Sequence, residues 1–302
     1  MKESDDRNMY YGMGFDELRS YCRKCIDSLE HWARRLIHEQ LTEKYGSNYL
    51  CAVNANNEPI VKKSIRENVE NLLLNHPLRF KRPVDALFLD DIVYFLCNPN
   101  FYAELFKSAL DFNYPQGRET VREFLSRIVP IRNALSHSNP ISIRQAEQVI
   151  CYSNDFIEGL KKYYEQRGMD RMWNVPRFIK ATDSLGNVFY PNEDMLATLS
   201  CHVFDLSNTN NSFKVGDTYT IELEIDSTFE ESLYLIKWSE KPHDIYRSDL
   251  FNSKIYSKTF DESNVMHTFT ISADIISTKT WHRFGNYDDS LVISVTVLPH
   301  DA

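Results

Sequence analysis

Glycine and proline are scarce, 9 and 11 among 302 residues, which excludes collagen-like and flexible low-complexity architectures. No uninterrupted apolar run approaches the roughly 20 residues needed to cross a bilayer. The opening residues, MKESDDRN, are polar and mostly charged where a secretory leader needs an apolar stretch. The six cysteines (Cys22, Cys25, Cys51, Cys97, Cys151 and Cys201) lack the dense spacing of a secreted disulfide framework. These absences predict a soluble, cytoplasmic chain with no membrane partner. Only Cys22 and Cys25 form a C-x-x-C pair, and no second pair completes a zinc site. No metal and no other cofactor is expected.

What is present points to two folded modules. With 42% hydrophobic and 13% aromatic residues, the chain can bury sizeable cores, so disorder is excluded as its overall description. The net charge of −9 is unevenly placed. Residues 1–168 hold 23 Lys and Arg against 23 Asp and Glu, and residues 169–302 hold the remaining 11 against 20. The whole acidic excess therefore lies in the second part, which disfavours broad electrostatic binding of nucleic acid there.

The first part reads as helices. Phe15, Leu18, Cys22, Cys25, Leu29, Trp32, Leu36 and Gln40 recur in steps of three and four, predicting a long helix from about Phe15 to Lys44. The Cys22–Cys25 pair lies on that stripe, either as small core residues or as a redox or metal pair. Ile65, Val69, Leu72 and Leu73 mark a second helix, and VDALFLDDIVYFL and NFYAELFKSAL mark two more. Asn98-Pro99 is a helix start. Val121, Phe124, Leu125, Ile128, Ile131 and Leu135 carry a further helix, which Pro130 interrupts, with a kink expected near residues 126–130. Ser142-Ile143-Arg144-Gln145 has the form of a capping box and opens the last helix, which runs to about Gln166. The expected domain is an antiparallel helical bundle over residues 1–168.

After a linker at about Gly168–Pro176 the period changes to two. FKVGDTYTIELEID alternates cleanly, and RFIKAT, NVFYP, LYLIKWS, SKIYSKTF, MHTFTISA and LVISVTVL are further strand candidates. Seven or eight short strands predict an immunoglobulin-like β-sandwich over residues 177–302. The fold class is thus α+β with segregated domains.

Chemistry concentrates at Arg132-Asn133-Ala134-Leu135-Ser136-His137. Eighteen arginines and nine histidines give about half a chance match to Arg-x4-His, so the spacing alone means little. Its context is more specific: Asn follows the Arg directly, and the helix breaks just after the His. His137 is thereby placed at a helix C-terminus, the negative end of the macrodipole. Histidine can move a proton near neutral pH, and arginine offers a planar fork of donors to a phosphate on which charge is growing. Asn133 can orient the imidazole or bind a non-bridging oxygen. The alternative is that Arg132 and His137 merely pair with carboxylates or carbonyls at the end of a core helix.

IRNALSH-SNPIS followed by a capped amphipathic helix resembles the signature of the HEPN superfamily, small helical domains found in many toxins and antiviral ribonucleases. The resemblance covers roughly residues 15–166, and Pro130 and Ala134-Leu135 depart from the pattern. It implies an endoribonuclease that needs no metal, cleaves RNA by attack of the 2′-OH and serves as a toxin or antiviral defence effector. The implied catalytic residues are Arg132, Asn133 and His137, in a site generally formed at a dimer interface. A protein regulator or antitoxin is a further implied partner. Helix geometry agrees with a dimer: Arg132 and His137 stand about 140° apart on an ideal helix, whereas Asn133 and His137 share a face. The competing class is a non-catalytic HEPN-like module that dimerises or docks a partner.

Two weaker clusters complete the candidates. Arg79, Lys81 and Arg82 flank Phe80, where cations beside a stacking aromatic suit RNA and a solvated loop is the alternative. Trp281, His282, Arg283, Tyr287, Asp288 and Asp289 crowd one stretch of the sandwich. They suit a ligand or partner loop, or a tight loop pinned by Trp281 and an Arg283–Asp ion pair. Their spacing matches no closed metal site. The sandwich itself is expected to sense or dock rather than to catalyse.

Overall fold

A computed structural model describes residues 13–54, 56–169, 173–191, 200–207, 212–241 and 245–300. Its described α-helices lie between residues 15 and 166, and its named strands between 178 and 298, so α-helix and sheet are segregated along the chain. Contacts divide the chain into two compact units. One comprises Met1–Glu70 and Ala86–Met169, the other Asn71–Asp85 and Asp170–Ala302. Residues 71–85, which sequence periodicity assigns to the helical half, thus sort with the strands. Leu78 packs against the core of the sheets, and Phe80 stacks on Tyr190 at 6.0 Å between centroids.

The helical unit is built on α1 (Phe15–Tyr45). Leu18, Cys22, Cys25, Leu29, Trp32 and Leu36 are all buried, and so is a second row of Ile26, Ala33 and Ile37. Two buried rows make α1 the central helix, packed against α3 (Leu89–Leu96), α6 (Arg118–Ser136) and α7 (Ile143–Gln166). Cys22 and Cys25 are buried in this core and neither is in a disulfide. Burial pushes the Cys22 thiol up to about 11, which favours the core-packing alternative for it. Helix α2 spans Lys63–Asn75. The next helical stretch is interrupted: α4 (Pro99–Phe101) passes through a π-helical turn at Tyr102–Phe106 into α5 (Lys107–Leu110). Asn98 caps it, its side chain accepting from the N–H of Asn100 at 2.9 Å. Helix α6 continues as one α-helix through Pro130. The predicted capping box is formed: the Gln145 N–H donates to Ser142 Oγ at 3.2 Å, and Gln145 Oε1 accepts from the Ser142 N–H at 2.8 Å. Such caps contribute about 1 kcal/mol. Among the described residues no helix is long and apolar enough to cross a membrane.

The second unit holds two sheets. The first has the order β2 (Val188–Phe189), β1 (Phe178–Asp183), β5 (Thr218–Ile225), β8 (Ile255–Thr259). The second runs β3 (His202–Asp205), β10 (Asp289–Leu298), β9 (Met266–Ser277), β6 (Tyr234–Lys241), β7 (Ile245–Tyr246), and β4 (Phe213–Lys214) also pairs with β10. β3 and β4 lie parallel to β10, and the other pairs are antiparallel. Alternate residues of β5 (Tyr219, Ile221, Leu223, Ile225) join Trp238 of β6 and Ile271 of β9 in one apolar core. The indole of Trp238 donates to the Ser253 carbonyl at 2.8 Å, which satisfies its one buried donor. The described strands number ten, more than alternation predicts, because three of them are two-residue pairings too short to carry a period.

Candidate active site

Helix α6 turns Val121, Leu125, Ile128, Ile131 and Leu135 into the core. That choice of buried face leaves Arg132 half-buried at its edge and Asn133, Ser136 and His137 exposed. The Arg132 side chain keeps 27% exposure and meets three groups. Its Nε lies 3.4 Å from Glu30 Oε1, its Nη1 lies 3.4 Å from Asn133 Oδ1, and its guanidinium carbon sits 5.7 Å from the centre of the Phe88 ring. Glu30 is buried on α1, and its other oxygen binds Arg34 Nη2 at 2.7 Å. Arg34 in turn donates to the Leu87 carbonyl at 2.7 Å. One buried carboxylate therefore anchors two arginines, and the chain just before α3 braces both.

His137 closes α6. Its backbone N–H donates to the Asn133 carbonyl at 3.1 Å, and Ser138 follows with φ +58. The α6 carbonyl at Leu135 is taken by Arg23 of α1, whose Nη2 donates to it at 2.6 Å. The cation serving this helix end is thus Arg23, and the exposed imidazole of His137 makes no side-chain hydrogen bond among the described residues. The arrangement gives a held guanidinium, an amide beside it, and an uncommitted imidazole one turn beyond. It can bind a phosphodiester oxygen and move a proton.

The Arg79 cluster falls in the second unit. Arg79 and Lys81 are exposed. Phe80 is 5% exposed, stacked on Tyr190, with the Arg79 guanidinium against both rings at 4.9 and 5.8 Å from their centres, so its burial leaves little of it for a base. Arg82 is a correction to the sequence reading: it is 8% exposed and bound to Asp85 through Nη2 at 2.8 Å. It ties a short turn together instead of reaching solvent.

The loop before β10 is a second correction. Asp288 and Asp289 are fully buried. Asp288 accepts from the backbone N–H groups of Ser277 (2.6 Å) and Arg283 (2.9 Å), and it faces His282 Nδ1 at 3.1 Å. Asp288 thus pairs with His282, and Arg283 is among the cations that hold Asp289 below the usual carboxylate range. Arg283 lies over Phe284 and Trp173, Lys279 lies over Trp281, and Tyr287 is half-buried. The carboxylates hold the loop closed, so they are not presented to a ligand.

Three features had no sequence prediction. The first is Glu30. The second is a buried set in which Asp289 faces His202 Nε2 at 3.0 Å and Arg177 Nε at 3.9 Å, and accepts from the Phe178 N–H at 3.1 Å. Burial alone would raise the Asp289 carboxyl, but His202, Arg177 and Arg283 together hold it below the usual carboxylate range. The third is buried Glu240, which binds Arg247 and Lys258 at 2.6 Å each and Tyr256 at 3.0 Å. Glu30 and Glu240 left a legible trace: each is an acid where the pattern demands an apolar residue, in the rows Ile26, Glu30, Ala33, Ile37 and Tyr234, Ile236, Trp238, Glu240. Among the described residues no group of three or more His, Cys, Asp or Glu gathers as a metal site. No family model, no curated protein and no solved structure matches the chain.

Proposed function

We propose that the helical unit is a HEPN-like, metal-independent endoribonuclease that works as a homodimer. Its catalytic residues are Arg132, Asn133 and His137. The observation that carries this reading is the division of labour on α6: Arg132 is fixed by buried Glu30, while His137 stands exposed with its imidazole uncommitted. In the proposed reaction His137 takes the proton of the 2′-OH or returns one to the 5′-oxygen. Arg132 stabilises the charge on the phosphate, and the 2′-OH displaces the 5′-oxygen to leave a 2′,3′-cyclic phosphate. A role as toxin or antiviral defence effector, held by a protein regulator, follows from the family resemblance.

The strand unit is proposed as an immunoglobulin-like sensing or docking domain. Its order β1-β5-β8 opposite β10-β9-β6-β7, and a buried Trp on β6, support that assignment. A non-catalytic reading of the helical unit is favoured by one observation, that Arg132 already has Glu30 and Phe88 as partners. Incubation with single-stranded RNA and tRNA in EDTA separates the two. Cleavage that requires both Arg132 and His137 and leaves a cyclic phosphate supports the nuclease, and its absence leaves the docking module.

A further inference from the structure

We propose that the cleft between α3 and α6 holds a nucleotide of single-stranded RNA a few positions along the strand from the one cleaved at Arg132 and His137; this rests on the nuclease reading of the same helix. The cleft, about 420 Å³ and open to solvent, is lined among others by Lys62, Asp90, Tyr94, Asn98, Arg122 and Ser126. Its chemistry is that of a nucleotide site. Lys62 Nζ sits 4.5 Å from the centre of the Tyr94 ring. Arg122 is braced through Nη2 on the Cys97 carbonyl at 2.8 Å and keeps 47% of its side chain exposed. Two cations face a phosphate, while Asp90, the Ser126 hydroxyl and Asn98 offer acceptors and donors to a base. Glu119, 3.9 Å from Arg122, is the acid nearest that cation.

Continuity with the catalytic residues comes from helix geometry. The contacts Arg122–Cys97 and Arg132–Phe88 show that α6 runs antiparallel to the chain from Phe88 through α3. At 100° per residue, Arg122, Asn133, Ser126 and His137 fall within an arc of about 60°. All four are exposed. One solvent stripe therefore joins the cleft to His137 over about 22 Å of helix, the reach of a few linked nucleotides. Phosphate contacts along such a track position a strand without reading its sequence.

The test uses the intact chain and a fluorescently labelled 2′-O-methyl RNA oligonucleotide, which binds but has no 2′-OH to attack. Lys62→Glu and Ser126→Glu each put an acid into the cleft at an exposed position, and Arg122→Lys keeps the charge while removing the fork. Lys62→Glu and Ser126→Glu are expected to weaken binding about tenfold. Lys62→Glu should also lower the slope of log affinity against log salt by about 0.7 for its lost phosphate. Melting curves like that of the parent confirm that the variants fold. Affinity and salt slope unchanged in both acidic variants would overturn the proposal, as would failure of the parent to bind the oligonucleotide. Binding that depends on the cleft, with no cleavage of ordinary RNA, would instead sink the nuclease reading and leave this site standing.

Discussion

Glu30 Oε1 lies 3.4 Å from Arg132 Nε, a link between two helices across 102 positions of the chain. Because its other oxygen holds Arg34, removing the carboxylate takes a charged acceptor from two guanidinium groups, one of them with only 11% of its side chain exposed. Glu30→Ala is therefore expected to destabilise the helical unit by about 3–5 kcal/mol. Glu30→Gln should cost less and is the more informative variant. As a positioning residue, Glu30 should affect RNA cleavage through kcat more than KM. Urea unfolding and steady-state cleavage check the two expectations separately.

Arg82→Ala and Lys81→Ala are adjacent changes with opposite expectations. The first leaves buried Asp85 without its ion pair and should cost about 3 kcal/mol. The second removes an exposed cation and should stay within about 0.5 kcal/mol. Chemical denaturation of both variants measures the contrast, and equal effects would contradict the placement of Arg82.

Much of the fold was legible because burial imposes a period. Leu18, Cys22, Cys25, Leu29, Trp32 and Leu36 recur at helical spacing and are all buried, and β5 alternates buried and open positions along its length. Phe15 continues the α1 pattern yet is 43% exposed, since a helix end outruns the core it packs on. The transfer of residues 71–85 to the strand unit left no periodic signature, because Leu78 and Phe80 act through contacts distant in sequence. At the candidate site the positions of Arg132, Asn133 and His137 were readable as a local motif. Glu30 and Arg23, which hold Arg132 and cap α6, come from another helix and could not be paired with them by spacing. The same holds for Asp288 and Asp289: by residue type they suited either a ligand loop or a tight loop, and their burial shows only in the fold.

Acid should unfold the strand unit by a route that runs through Asp289 and Glu240. Both carboxyls are held below their ordinary values. Burial opposes this, but at Asp289 it is outweighed by His202, Arg177 and Arg283, and at Glu240 by Lys258, Arg247 and Tyr256. A carboxylate depressed on folding contributes stability that is complete above its unfolded value, about 4. That stability is lost as pH falls through the lower folded value. Urea midpoints for the intact chain should accordingly fall as pH is lowered below about 4. Asp289→Asn should unfold more easily at pH 7 and show a shallower acid dependence than the parent. An acid limb as steep in Asp289→Asn as in the parent would remove Asp289 from this account.

His137→Ala tests catalysis and assembly together. The imidazole makes no side-chain hydrogen bond among the described residues, and Arg23 already serves the α6 terminus, so the variant should melt within about 3 °C of the parent. Its loss of cleavage would then report chemistry and not unfolding. Arg132 is held on its own chain by Glu30, and His137 leaves the helix about 140° away, so a site using both groups on one phosphate is most simply completed by a second copy across a two-fold axis. Mixing Arg132→Ala with His137→Ala subunits gives mixed dimers with one intact site and one doubly damaged site if each site draws Arg from one chain and His from the other. Random exchange makes half the dimers mixed, so activity should return to about a quarter of the parent value. If both groups come from the same chain, every site stays broken and the mixture stays inactive. Cleavage by a protein that sediments as a monomer at micromolar concentration would remove the dimer from the mechanism.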